Sequence, residues 1–191
     1  MNTRCYWCAD NELLIKYHDL EWGTPVHDDK ILFEFILLEG AQAGLSWLTI
    51  LKKREDYRKA FDNFDFYKIA KYDEGDFERL INNPKIVRNK LKIKSAITNA
   101  QATIEIIEEF GSLDSYLWSY VDGSPIINRF KTLDELPIQT DISDKLSKDL
   151  KKRGFKFVGS TIMYSFMQAV GMVNDHTIDC FRYNELINSE S

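Results

Sequence analysis

Residues 143–171 read SDKLSKDLKKRGFKFVGSTIMYSFMQAVG, and this segment carries the clearest information about the architecture. Apolar residues recur at three- and four-residue spacing on both sides of Gly154–Gly159, which predicts two helices joined by a short hairpin. The two glycines permit a tight turn, and Phe155 and Val158 can anchor it in the core. Amides of such a turn point outward and can bind a phosphate without reading a base sequence. An ordinary helical hairpin with glycine caps fits the same pattern.

The rest of the chain also shows helical spacing, which predicts an all-α fold. Apolar residues recur every three or four positions in 28–42, 47–60 and 86–110. No sustained strand of alternating polarity with a hairpin turn is visible. The predicted helix N-caps are Asp28, Ser46, Asp65, Ser112 and Ser143.

We expect the 191 residues to form one unit that can be divided into two helical lobes. Residues 1–65 and 140–191 would build one lobe, and residues 66–139 the other. The stretch 121–141 contains Gly123, Pro125 and Pro137 and marks the predicted boundary.

Charge and composition indicate an intracellular protein. The net charge is −5, no apolar run reaches membrane-span length, and no signal sequence opens the chain. Three cysteines are too few for a disulfide framework, which favours a reducing compartment. We therefore expect a cytoplasmic protein with no membrane partner. We also expect a monomer. Of two basic runs, 145–156 surrounds the hairpin turn, whereas 85–94 is interpreted as a solvated helix face.

Cysteine and histidine residues near the two termini form a candidate metal site. His176 and Cys180 are one helical turn apart, and Cys5 and His18 can complete a tetrahedral Cys₂His₂ zinc site. Four protein ligands leave no open position, so one structural Zn²⁺ would join the first and last segments. Each residue alone is as readily explained by packing, and Cys5-x-x-Cys8 is an alternative ligand pair or redox pair.

Residues 39–47, EGAQAGLSW, form a candidate pocket motif. Glu39 follows an apolar stretch in which a buried carboxylate is costly unless it has a partner. Two glycines then interrupt the helix before Trp47. Tyr17 and Trp47 could sandwich a flat ring, with Trp7 nearby, although core packing explains most aromatic residues of this chain.

Several long motifs together resemble one family. The hairpin segment resembles the helix–hairpin–helix element of DNA glycosylases that include endonuclease III. The wider chain is similar to the 3-methyladenine DNA glycosylase I family, from residue 4 to residue 180. The similarity rests on RCYW (4–7), YHDLEWG (17–23), LLEGAQAGLSW (37–47), LKKRGFKFVGSTIMYSFMQAVGMVNDH (150–176) and Cys180.

This resemblance implies a repair enzyme that flips N3-methyladenine out of alkylated double-stranded DNA and releases it as the free base. Glu39, with a catalytic role, would line the base pocket together with Tyr17, Trp47 and Trp7. Leu45 would be the apolar wedge that fills the gap in the duplex. The hairpin would bind the DNA backbone through the residues Lys152, Arg153, Gly154, Lys156, Val158 and Gly159.

Departures from related glycosylases bear on the mechanism. Relatives with this hairpin commonly carry a catalytic Asp two residues before a His, but Asn174 precedes His176 here. No lysine occupies the place of a Schiff-base nucleophile, so we expect hydrolysis without a lyase step. The charged leaving group would then supply most of the activation, with Asp175 as an alternative catalytic carboxylate.

Two other classes of function remain. A zinc hydrolase with Glu39 as base needs an open metal position, which four protein ligands do not leave. A non-catalytic, zinc-stabilised helix–hairpin–helix DNA-binding module has no need for a pocket formed by Glu39 and Trp47.

Overall fold

The computed structural model describes residues 3–8 and 11–189 and confirms a mostly helical fold. The α-helices are α1 (Glu12–Leu20), α2 (Asp29–Gln42), α3 (Trp47–Ala60), α4 (Phe66–Ile69), α5 (Glu74–Ile81), α6 (Lys90–Phe110), α7 (Leu113–Trp118), α8 (Asp141–Lys152), α9 (Ser160–Ala169) and α10 (Phe181–Ser189). Short 3₁₀ turns lie at Tyr6–Cys8, Asp62–Phe64, Ser119–Val121 and Leu133–Glu135. None of the helices in these ranges is both long and apolar enough to cross a membrane. The division into two lobes stays a prediction.

One feature of the fold is β-structure that the sequence pattern did not predict. Strands β1 (Ile126–Ile127) and β2 (Val173–Asn174) pair in parallel, with Ile126 opposite Val173. Two residues are too few to show an alternating pattern. The pair attaches the segment after α7 to the segment that leads to His176.

Side-chain caps fix most helix starts where the sequence places them. Asp28 accepts hydrogen bonds from two amides of α2, and Ser46 accepts one from the amide of Thr49. Asp65 and Ser112 cap α4 and α7 in the same way.

The predicted cap at Ser143 is wrong, because α8 begins at Asp141 and Thr140 is its N-cap. Ser143 is instead the third helical residue, and its hydroxyl accepts a hydrogen bond from the Thr140 amide at 2.9 Å. The two side chains form a capping box, with Ser143 in the position that Glu or Gln usually occupies.

Helix α2 lies at the centre of the molecule and packs against α3, α6, α7 and α9. Its residues 32–41 are all buried, so this helix has no solvent stripe in its second half. At Gly40 a Cβ atom would lie 3.1 Å from Cβ of Phe157 in the hairpin. Glycine therefore permits the close approach of α2 to the hairpin, directly beside Glu39.

Helices α8 and α9 flank the predicted hairpin turn. Gly154 has φ of 94°, a conformation that favours glycine. Phe155 and Val158 are each 1% exposed, which confirms that they anchor the turn in the core. The amide of Lys156 donates to Asn99 Oδ1 at 2.8 Å, and Asn99 Nδ2 donates back to the Lys156 carbonyl at 3.1 Å. This exchange fixes the hairpin to α6.

Candidate functional site

A cavity of about 220 Å³ that opens to solvent lies where four helices and the N-terminal segment meet. Its walls come from α1, the end of α2, the start of α3 and one face of α9. The lining residues are Trp7, Tyr17, Trp22, Glu39, Gln42, Trp47, Leu136, Ser165 and Gln168.

Glu39 is the only carboxylate among the described residues that line this cavity. Its side chain is 4% exposed and forms no hydrogen bond with any residue that the structure describes. Burial disfavours the charged form and raises the pKa of Glu39 to about 8. The carboxyl group is therefore ready to stabilise a positively charged or hydrogen-bond-donating ligand.

The predicted aromatic residues lie together around Glu39. The ring centroids of Tyr17 and Trp47 are 5.4 Å apart with planes inclined by 52°, and Trp7 lies 6.3 Å from Tyr17. Tyr17 and Trp47 thus form a corner of the cavity rather than two parallel walls. Burial, and next the charge of Glu39, raises the pKa of Tyr17 well above 10, so its hydroxyl stays protonated.

Several lining residues were not predicted from the sequence. Among them, Gln42 and Gln168 have side-chain amides that can both donate and accept hydrogen bonds. Gln42 lies inside the 39–47 motif, one turn after Glu39, and this spacing could have identified it. Gln168 lies on α9, one turn after Ser165, and its Nε2 donates to Asp175 at 2.8 Å. Local sequence gave no sign of that contact, because it depends on how α9 packs against the segment before His176.

Asn174 and Asp175 are both buried and lie outside the cavity lining. Asn174 Nδ2 donates to the Tyr183 carbonyl at 3.3 Å, which is a structural contact. Asp175 accepts hydrogen bonds from Tyr164 at 2.6 Å, Asn128 at 2.6 Å and Gln168 at 2.8 Å. Its carboxylate is therefore held in place by three protein donors.

The four candidate metal ligands meet in one buried cluster, with all ligand atoms within 4.8 Å of one another. His176 Nδ1 lies 3.5 Å from the sulfurs of both Cys5 and Cys180, and His18 Nε2 lies 3.4 Å from Cys180 Sγ. A tetrahedral zinc ion with ordinary bond lengths would separate sulfur and nitrogen ligands by about 3.6 Å. The donor set and its spacing therefore fit such an ion.

Outer hydrogen bonds orient both imidazoles of the cluster. His18 Nδ1 donates to Asp19 at 2.8 Å, and Asp19 is held in turn by Arg4 at 2.9 Å. His176 Nε2 donates to the Trp22 carbonyl at 3.0 Å. These bonds place the ring protons away from the cluster and leave one lone pair of each histidine facing it, as metal ligation requires.

The sulfurs behave as a coupled pair. The interaction between the two sulfurs raises the pKa of Cys5 and lowers that of Cys180. Cys8 is buried but lies outside the cluster, and its thiol donates to the Cys5 carbonyl at 3.1 Å.

The predicted DNA-binding residues divide into two groups. Lys152 and Lys156 have exposed side chains, and Leu45 is 41% exposed in the loop between α2 and α3. Arg153, in contrast, donates to Glu109 at 2.6 Å and lies 4.9 Å from the Phe110 ring centroid. Its guanidinium group is occupied by a contact within the protein.

The backbone of the hairpin provides free donors only in its second half. Gly154 donates its amide to the Lys151 carbonyl at 3.1 Å and so closes the end of α8. The amides of Val158, Gly159 and Ser160 donate to no described residue, and α9 has no side-chain cap. They form a group of outward donors at the start of a helix, which suits an anion.

The sequence profile of the methyladenine glycosylase family matches residues 7–183. DNA-3-methyladenine glycosylase 1 of Escherichia coli K12 is 51% identical over 180 residues, which cover 94% of this chain and 96% of that protein. A crystal structure of 3-methyladenine DNA glycosylase I superposes with a TM-score of 0.91 at 52% identity, and covers 94% of this chain and 98% of its own. The Staphylococcus aureus enzyme, whose structure addresses recognition of 3-methyladenine, is 39% identical with a TM-score of 0.91, covering 93% and 95% of the two chains.

Proposed function

This chain belongs to the methyladenine glycosylase family, and on that premise we propose that it excises N3-methyladenine from alkylated DNA and leaves an abasic site. One observation carries the proposal. The cavity combines aromatic walls with a buried carboxyl group, Glu39, that forms no hydrogen bond or ion pair with the described residues. A flat, positively charged base can stack on the aromatic walls. Its positive charge can pair with the Glu39 carboxylate.

The reaction breaks the bond between the sugar C1′ and N9 of the base. The bonding electrons pass to the base, whose positive charge they neutralise, and the oxygen of a water molecule bonds to C1′ and loses a proton. The products are neutral 3-methyladenine and an abasic sugar. Because the leaving group is cationic at the start, the step needs little acid catalysis from the protein.

The residues around the cavity agree with a reaction that needs little acid catalysis from the protein. Asn174 cannot act as a base, and the carboxylate of Asp175 already accepts three hydrogen bonds. None of the described residues that line the cavity is a lysine. We therefore assign base recognition to Glu39 and infer a monofunctional enzyme without a Schiff-base step.

The DNA would be held by two elements, the loop between α2 and α3 and the hairpin between α8 and α9. Leu45 is the apolar side chain that would fill the space left by the extruded nucleotide. The amides of Val158 and Gly159, with the charges of Lys152 and Lys156, would hold the backbone. Arg153 is left out of this surface, because its ion pair with Glu109 uses its donors.

We assign one structural zinc ion to Cys5, His18, His176 and Cys180. The geometric fit of the four ligand atoms and the two oriented imidazoles support this assignment. A bound ion would supply a link between the chain ends, and with four protein ligands it would take no part in the chemistry. Cys8 would remain a free thiol.

We also propose that the enzyme works as a monomer in the bacterial cytoplasm. The cavity, the hairpin and the metal cluster are all complete within one chain. Three free cysteines are compatible with a reducing compartment.

The test is release of base from methylated duplex DNA, with the products separated by chromatography. Free 3-methyladenine should appear, the strand should acquire alkali-sensitive abasic sites, and no strand cleavage should precede alkali treatment. A non-catalytic DNA-binding module would bind the duplex and release nothing. That result, with properly folded protein, would reject the proposal.

A further inference from the structure

The first turns of α6 form a basic segment that the sequence analysis interpreted as a solvated face. Residues 85–94 hold five basic side chains, and residues 79–104 contain no Asp or Glu. Arg88, Lys90 and Lys94 are exposed. They form no ion pair with any residue in the described ranges, although Lys94 Nζ lies 5.3 Å from the Phe77 ring centroid.

The structure places this segment between the two elements proposed to contact DNA. On one side, the Lys92 ammonium donates to the carbonyls of Ala41 at 2.8 Å and Ala43 at 2.7 Å. These carbonyls end α2, directly before Gly44 and Leu45. A cation is favourable at the end of a helix, so Lys92 ties α6 to the loop that carries the apolar wedge.

On the other side, α6 adjoins the hairpin. Lys94 and Lys156 line one open depression of about 740 Å³, together with Leu91, Ser95, Thr98 and Phe157. Leu91 is 68% exposed at its edge. The paired hydrogen bonds between Asn99 and the Lys156 backbone hold the hairpin beside α6, which carries Lys94.

Two neighbouring lysines without a carboxylate partner repel each other unless an anion lies between or beside them. Leu91 is exposed and Phe157 is partly exposed, and the apolar surface that they provide beside the lysines suits a sugar next to the anion. A phosphodiester backbone offers this combination of a charged group and an apolar ring.

We propose that Lys94 binds a DNA backbone phosphate next to the one held at Lys156, so that the DNA-binding surface continues from the hairpin onto α6. The inference rests on the proposed function, because it takes the same DNA as its partner. Helix α6 would thus be a third DNA-binding element, beside the hairpin and the loop at 43–46 that carries Leu45, here called the wedge loop. It assigns Lys92 a different task, which is to hold the wedge loop without contacting DNA.

The experiment measures binding of a labelled duplex, with and without a tetrahydrofuran abasic-site analogue, across a series of KCl concentrations. Each lost phosphate contact should reduce the slope of log K against log salt by about 0.9, and weaken binding on the order of tenfold near 0.1 M salt. We expect this for Lys94→Ser with both duplexes, and about twice the slope change for Lys94→Ser combined with Lys156→Ser.

Lys30→Ser is the matched control. Lys30 is also an exposed lysine, but it lies at the other end of α2 from the wedge loop, roughly 18 Å along the helix. It removes the same net charge and should leave the slope unchanged. The variants at the exposed residues Lys94, Lys156 and Lys30 should keep the wild-type melting temperature. Their affinity for free 3-methyladenine should also be unchanged, because the base cavity is untouched.

If Lys94→Ser behaves like Lys30→Ser, the inference is overturned. This outcome differs from failure of the proposed function, which would show as absence of base release by the wild-type enzyme. A slope change for Lys92→Met as large as that for Lys94→Ser would also contradict the assignment, since it would place Lys92 on the DNA.

Discussion

The charge state of Glu39 should govern how base excision depends on pH. In the free protein this carboxyl group is 4% exposed, has no hydrogen-bond partner among the described residues, and has a pKa raised to about 8 by burial. The N3-methylated base in DNA carries its positive charge at every pH in the working range. It should therefore be bound by the ionised form of Glu39 and not by the protonated form.

The expected size of the effect follows from the pKa. At pH 7, one unit below a pKa of about 8, roughly one molecule in ten has Glu39 ionised, which corresponds to about 1.4 kcal/mol. Since kcat/KM reports the free enzyme, it should rise roughly tenfold from pH 7 to pH 9 and then level off. Glu39→Gln keeps the shape but cannot ionise, so its profile should be flat. Loss of a charge-assisted hydrogen bond should lower its activity at pH 9 by about ten- to a hundredfold.

The free energy of unfolding of the free protein should fall as the pH rises, whereas kcat/KM should increase. A carboxyl group whose pKa is raised on folding contributes stability that is present below its unfolded pKa and is lost as pH rises through the folded pKa. The interval from 4.5 to about 8 corresponds to at most about 5 kcal/mol at 1.36 kcal/mol per pKa unit. Glu39→Gln escapes this loss, and should unfold at higher urea concentration than the wild type at pH 8–9 but not at pH 4.

The assay is release of labelled 3-methyladenine from methylated DNA at subsaturating substrate, with spontaneous loss subtracted and ionic strength held constant. Free 3-methyladenine is neutral at pH 9, so the affinity of Glu39→Gln for the free base should fall by less than its excision rate, because the free base lacks the positive charge that ionised Glu39 stabilises. A wild-type profile that is flat between pH 7 and pH 9 would refute the reasoning, as would a rise that Glu39→Gln retains. A rate that falls with pH would indicate that protonated Glu39 is the active form.

Three further outcomes are expected from the site. Removing the metal by chelation, or replacing Cys180 by serine, should lower the melting temperature by far more than it lowers activity per folded molecule; an equal loss of both would place the metal in the chemistry. Lys152→Ser should weaken binding to damaged and undamaged duplex alike and flatten the salt dependence, whereas Arg153→Ser should mainly lower the melting temperature, as salt-titrated binding and thermal unfolding would show. Leu45→Ala should slow excision from duplex DNA while affinity for free 3-methyladenine, measured by calorimetry, stays the same; a matching loss of base affinity would place Leu45 in the cavity.

The sequence predicted best those features that depend on rare residue types. Cys5 and His18 could be paired with His176 and Cys180 because the chain has only three residues of each type, and the structure brings all four together. Glu39 was identifiable since a carboxylate in an apolar run needs an explanation, and the structure buries it in the cavity wall.

The sequence could not show which basic side chains pair within the protein and which remain free at the surface. Arg153 lies in a basic run, and nothing nearby in sequence shows that its partner is Glu109, which is 44 residues away. The same limit applies to residues 85–94, since spacing on a helix does not reveal that Lys92 turns inward while Lys94 faces the hairpin. A run of basic residues predicts a charged surface. Which of these side chains form contacts within the protein depends on how the helices pack.

The burial of Glu39 also gives a physical reason why this site can select its base without a strong general acid. Ionising Glu39 in the free protein is costly, and only a ligand that brings positive charge offsets that cost. Neutral adenine in undamaged DNA brings none, so it meets a protonated carboxyl group and gains no charge-assisted hydrogen bond. The methylated base brings the compensating charge and, for the same reason, leaves the sugar easily. Recognition and activation thus depend on one property of the substrate, which agrees with a chain in which Asn174 contacts the Tyr183 carbonyl and Asp175 is held by protein donors.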